Sequence, residues 1–141
     1  MIDVDAVVQG YVAALLWSES CNGTAPVEVC DHHGLGEDCD AGLDSIGYDA
    51  GDLAEDARKE IEADVREFVE ANRADLEELL TKPGVDESDI GHNFLLTRNH
   101  HGVGFWDRGW GELGERLTQA SDPYGNTSAY VDGDEKVHVE G

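Results

Sequence analysis

His92-Asn93-Phe94-Leu95-Leu96-Thr97-Arg98-Asn99-His100-His101-Gly102-Val103-Gly104-Phe105-Trp106 is the stretch on which the fold class turns. Two short apolar runs, Asn93 to Thr97 and Val103 to Trp106, flank a segment made of Arg, Asn, His and Gly. Runs this short, on either side of turn-forming residues, read as the two arms of a β-hairpin. Taken that way, the stretch predicts an α+β protein.

Towards the C-terminus, Asp107 is placed to cap a helix in which Trp110, Leu113, Leu117 and Ala120 share one face, although Gly109, Gly111 and Gly114 dilute its propensity. Ser128 to Val131 and Lys136 to Val139, joined by Asp132-Gly133-Asp134-Glu135, carry the signals of a second hairpin. Towards the N-terminus, Val85 to Gly91 reads as a turn or short helix. Before it, Leu53, Ala57, Ile61, Val65, Phe68, Asn72, Leu76 and Leu79 recur at nearly helical spacing, predicting one long helix over 52–80 that Lys82-Pro83-Gly84 ends.

A further amphipathic helix is expected over 3–17, because Val4, Val7, Val8, Tyr11, Val12, Leu15 and Leu16 form a stripe that follows Asp3, a good N-cap. Between these helices, residues 18–51 lose all periodicity and are rich in Gly, Asp, Asn and Pro, predicting a long irregular loop. The expected architecture is a single domain over 1–141. In it, a small antiparallel sheet of two β-hairpins packs against about three helices, and a long irregular loop follows the first helix.

The charge bounds the partners. Thirty-two acidic against nine basic side chains give a formal charge of −23, with three lysines, Lys59, Lys82 and Lys136, against six arginines. A polyanion of this kind is a poor direct ligand for nucleic acid. The acids are interleaved with apolar residues at helical spacing, so an acidic disordered tail does not explain them. Adaptation to high salt comes first, because at about 1 M the Debye length falls to about 3 Å and self-repulsion disappears. Mimicry of a nucleic-acid backbone comes second. There is no membrane-length apolar run, and the N-terminal Met1-Ile2-Asp3-Val4-Asp5 lacks the basic start of a secretory signal, so a cytoplasmic place in the host cell is expected.

Two segments could carry chemistry. Cys21, Cys30, His32, His33 and Cys39 could bind zinc through three thiolates and an imidazole, which would staple a loop that has little core of its own. Structural zinc sites usually hold a pair of cysteines about two to four residues apart, and these are spread more widely, so free thiols or one disulfide with an odd cysteine remain alternatives. Asp31-His32-His33 also spells a metal-holding signature of a phosphoesterase superfamily. The other acidic motifs and the length of that superfamily are missing here, and the match reads as chance.

The second segment gathers His92, Arg98, Asn99, His100, His101, Trp106, Asp107 and Arg108. As an enzyme it would use His92 or His101 for acid-base work with Arg98 or Arg108 clamping an anionic substrate, while Asn99, Trp106 and Asp107 would bind. A structural reading competes with it: Asn99 and Gly102 suit a turn, Phe105 and Trp106 fill a core, and Asp107 with Arg108 braces the next helix. The structural reading is preferred, since no Ser or Cys nucleophile or complete metal set accompanies these residues.

HNFLLTRNHHGVGFWDRG from His92 to Gly109, followed by GELGERLTQA, resembles a family of small phage-encoded proteins with the hallmark H-D-F-W-L-T-R-N-G-H-G-A-G-F-W-D-R-G. His92, Phe94, Leu96, Thr97, Arg98, Asn99, His101, Gly102, Gly104, Phe105, Trp106, Asp107 and Arg108 match, while Asn93, Leu95 and His100 depart from it. The likeness extends to Leu15-Leu16-Trp17-Ser18 and the long acidic helix but leaves out the cysteine loop. It brings no activity with it. Together with the acidity, it implies a virus or provirus gene in a salt-adapted host.

The functional expectation is therefore a non-enzymatic accessory protein that binds a host or viral protein, of the basic nucleic-acid-binding or defence kind. A small hydrolase or nucleotide-processing enzyme and a virion component are the alternatives.

Overall fold

A computed structural model describes residues 2–18, 50–99, 104–105, 109–125, 127–131 and 136–140. In chain order the described elements are α1 (Val4–Ser18), α2 (Glu55–Ala71), α3 (Arg73–Leu80), α4 (Glu87–Arg98), α5 (Gly111–Ser121), β1 (Ser128–Val131) and β2 (Val137–Glu140). Short 3-10 turns at Ala50–Asp52 and Asp122–Tyr124 lead into α2 and out of α5. Most of the predicted loop over 18–51, with Cys21, Cys30, His32, His33 and Cys39, lies outside the described residues.

The fold is mostly helical, and the expectation of an α+β protein built on two hairpins is overturned. Where the first hairpin arm was expected, Asn93 to Thr97 are the interior of α4. The reason lies in burial. Ile90, Gly91 and every residue from Asn93 to Arg98 are buried, so this helix covers nearly its whole circumference and shows no amphipathic period. A short apolar run of this kind cannot be told from a buried strand by its spacing.

Its start was nevertheless encoded. The Asp86 carboxylate accepts from the Asp89 N–H at 3.0 Å, and the Asp89 carboxylate accepts from the Asp86 N–H at 3.0 Å. This reciprocal capping box satisfies two orphan donors at the first turn.

A second correction concerns the helix predicted over 52–80, which is two helices. Asn72 breaks it with φ −122° and ψ 23°, and its side-chain amide donates to the Phe68 carbonyl at 2.9 Å. An asparagine can offer its amide to the backbone in this way, and here that ends α2 and redirects the chain into α3. A third concerns α5, where Trp110 occupies the N-cap position expected of Asp107.

The layers meet at glycines. Helix α1 lies against α4 with no side chain between the backbones at two places. A methyl group on Gly91 would overlap the Val7 carbonyl, and one on Gly10 would overlap the Ser88 carbonyl. Gly114 likewise brings α5 against the carbonyl of Phe105. Around these contacts sits one hydrophobic cluster that draws on α1 to α5 and both strands. At its centre Phe68 and Phe94 stack with ring centroids 4.0 Å apart, and Tyr11, Phe105 and Tyr124 pack round them.

Strands β1 and β2 pair antiparallel, with Ala129 opposite Val139 and Val131 opposite Val137. This ribbon is too small to form a layer of its own. It is tied to the start of α2 by a bridge from Leu53 to Val137 and by the Ala54 N–H, which donates to the Val137 carbonyl at 2.8 Å.

The glycine crossing yields a direct expectation. Gly91→Ala forces backbone against backbone and should cost about 3 kcal/mol in urea unfolding at fixed salt. Gly84→Ala, at φ 78° but with open space around it, should cost about 1 kcal/mol from conformational strain alone. Equal costs for the two would refute the close approach.

Candidate functional site

Thr97, Arg98 and Asn99 follow one another at the C-terminal end of α4, and successive helical residues project about 100° apart. Three neighbours in sequence therefore reach three different parts of the molecule. The Thr97 hydroxyl accepts from the Phe105 N–H at 3.1 Å, an approach permitted by Gly104, whose added Cβ would collide with the same hydroxyl. The Asn99 side-chain carbonyl accepts from the Thr127 N–H at 2.7 Å, just before β1.

Arg98 makes the largest set of contacts. Its Nε donates to the Gly125 carbonyl at 2.8 Å, and Nη2 donates to the Tyr124 carbonyl at 2.9 Å. Nη1 donates to the Tyr11 hydroxyl and to Asp64 Oδ2, both at 3.0 Å. The guanidinium also lies 5.8 Å from the Phe94 ring centre and 5.6 Å from that of Tyr124, within range of cation–π attraction. Its side chain is only 5% exposed, and its ion-pair partner Asp64 is 33% exposed.

These contacts set the electrostatics. Burial pushes the Tyr11 hydroxyl up to about 12, and the Asp64 carboxylate adds to the rise while the Arg98 charge opposes it. Burial also raises Tyr124, as does the hydrogen bond that its hydroxyl donates to Glu67 Oε1 at 3.0 Å. Both phenols stay protonated at neutral pH; Tyr11 is a polar tip inside the apolar cluster, while the half-buried Tyr124 packs against it and carries its hydroxyl to the exposed Glu67.

Arg98 is thus committed to protein acceptors. A clamp for an anionic substrate would need its planar fork turned towards a site, and here the fork holds the turn after α5 to α1 and α2. His92 is six residues earlier on the same helix, about 9 Å along its axis, so it does not converge with Arg98. The His92 ring instead lies 6.2 Å from that of Trp17. It also lines a surface concavity of about 360 Å³ with Val85, Ser88, Asp89 and Trp110. His101, Trp106, Asp107 and Arg108 lie outside the described residues, as do the candidate zinc ligands. Among the described residues, no group of His, Cys, Asp and Glu is placed to hold a metal ion.

Sequence reasoning missed Tyr11, Asp64, Glu67 and Tyr124 as members of this network. In the sequence Asp64 and Glu67 are two of many acids interleaved along the long helix, with nothing to single them out. The available signal was the polar tip of Tyr11 within an apolar stripe, since a buried hydroxyl needs a partner.

No family model matches the chain, and no curated protein or solved structure is similar to it.

Two expectations follow for the Arg98 network. Arg98→Ala strands the Tyr124 and Gly125 carbonyls and Asp64 and should cost about 3 to 5 kcal/mol in denaturant unfolding. Raising pH should also destabilise the fold. The folded pKa of Tyr11 lies above its ordinary value of 10.0, so the native state holds the proton longer than the unfolded chain. Stability is then complete below about pH 10 and declines as pH rises towards 12. Tyr11→Phe should flatten that decline in unfolding titrations, and an unchanged slope would contradict the assignment.

Proposed function

We propose that this chain is a non-enzymatic accessory protein of a virus or provirus, acting in the cytoplasm of a salt-adapted host by presenting an acidic helical surface to a basic protein. The partner class is a nucleic-acid-handling or defence factor of the host. The resemblance around His92 to Gly109 supports the viral part of this reading, and the charge of −23 supports the rest.

The observation that carries it is how the few cations are used. Arg98 is buried against Asp64, Arg116 grips Asp75 through two hydrogen bonds, Arg73 pairs with Glu70, and Lys59 pairs with Glu55. Glu60, Glu77, Glu78, Glu112 and Glu115 are exposed on α2, α3 and α5. Much of the positive charge is thus spent within the molecule, and the field that reaches solvent is negative. Such a field steers basic partners and repels nucleic acid. The enzymatic alternative uses Arg98 or Arg108 as an anion clamp; the engagement of Arg98 weighs against the first, and Arg108 lies outside the described residues.

Affinity capture from host lysate, repeated across salt concentrations up to the native one, tests the proposal. The expected result is specific recovery of a basic protein, lost when several exposed glutamates are changed to glutamine. Failure to recover any partner at every salt concentration would refute it. Folding should separately improve towards about 1 M salt as self-repulsion is screened.

A further inference from the structure

On α1 the exposed positions are Asp5, Gln9, Ala13 and Trp17, an i, i+4 stripe on a helix otherwise buried nearly all round. Trp17 ends that stripe with 54% of its surface exposed, and among the described residues it is the large apolar side chain left in solvent. Its ring lies 6.2 Å from that of His92, which also lines the 360 Å³ concavity holding Asp89 and the indole of Trp110. Two indoles and a carboxylate are thereby joined across one histidine. The last turn of α1 carries no basic residue, so the helix itself supplies no cation against the partial negative charge at its end.

We infer that Trp17 is the contact anchor of the acidic surface, and that its occupant is an arginine-bearing segment of a basic protein, stacked on the indole with its charge turned towards the concavity of Asp89. This rests on the function proposed above and specifies where and how the partner is held.

The physical reason is salt. Near 1 M the Debye length is about 3 Å, so charges that do not touch scarcely attract. An acidic surface that binds in such a medium needs contact-range interactions, of which an aromatic face under a guanidinium is one. Exposed aromatic side chains beside a pocket are also the residues on which binding energy concentrates. A second copy of this chain is a poor occupant, because with nine basic side chains against thirty-two acidic ones it offers few guanidinium groups to set against the indole.

Isothermal titration of the full chain with an octa-arginine peptide and an octa-lysine peptide, at about 0.1 M and about 1 M salt, reads this directly. The expected result is that arginine binding survives the higher salt better than lysine binding. Trp17→Ala should weaken arginine binding about tenfold at the higher salt, and Trp17→Phe should weaken it less. With 54% of Trp17 exposed, both variants should still unfold in one cooperative transition, so that lost binding is read on a folded chain.

The outcomes separate cleanly. No binding of either peptide by the wild-type chain at the lower salt overturns both this inference and the proposed function. Wild-type binding left unchanged by Trp17→Ala overturns this inference alone. Sedimentation showing a dimer that Trp17→Ala dissociates gives the surface to a second copy and overturns it as well.

Discussion

The fold depends on the crossing of α1 and α4 at Gly10 and Gly91. Where a side chain would stand between two helices, this pair has carbonyl against α-carbon, so the axes come closer than the ordinary spacing of about 8 to 10 Å allows. The consequence is that α4 is enclosed. With α1 seated directly on it, and α2, α5 and the turn at Asp122–Tyr124 around it, eight of the twelve residues of α4 are buried. An enclosed helix must find a partner for each polar group it carries, and that requirement explains Thr97, Arg98 and Asn99 together.

Arg98 is where the cost of that enclosure is met. A guanidinium in an apolar cluster is tolerated only with several acceptors and a counter-charge, and it receives two carbonyls, a phenol and a carboxylate. The close approach of α1 is what brings Tyr11 within reach, and the straight run of α2 before Asn72 supplies Asp64 and, one turn on, Glu67. The Thr-Arg-Asn run therefore works as a fastening that ties α1, α2, the turn after α5 and the start of β1 to one helix end. Arg98 and Asn99, which resemble catalytic equipment in sequence, serve here as polar fittings at the end of a largely buried helix.

What was legible in the sequence follows from the same physics. Helix α1 was visible because Asp3 caps it and its apolar positions follow one another at helical spacing, and the Ala6 N–H does donate to the Asp3 carboxylate. The apolar stripe of α2 and α3 was visible too, but Asn72 sat in phase with it and hid the break. Helix α4 was not visible, because a helix buried all round has no polar face to mark its period. The better guide was Asp86 and Asp89, a capping pair that reads from local spacing alone. The partners of Arg98 could not be read, since Tyr11, Asp64 and Tyr124 lie 87, 34 and 26 positions away.

The acidity divides into two parts with different physical meanings. Every described α-helix has an acid in its first turn: Asp5, Glu55 with Asp56, Asp75, Glu87 with Asp89, and Glu112. At that end a carboxylate is favoured by about 0.3 to 1 kcal/mol against the helix dipole. That benefit is greatest at low salt and is screened as salt rises, except where the acid also makes a capping hydrogen bond, as Asp89 does to the Asp86 N–H. Only α4 has a basic residue in its last turn, and that residue, Arg98, is turned inward. The other described α-helices carry no basic residue in the last turn, so the partial negative charge of those ends adds to the acidic field. Other carboxylates, among them Glu60 in the middle of α2, Glu77 and Glu78 late in α3 and Glu115 in α5, lie beyond the first turn and oppose the dipole where they approach a C-terminus. Fold stability alone therefore accounts for the first group and leaves the second to the solvent and to whatever the surface meets.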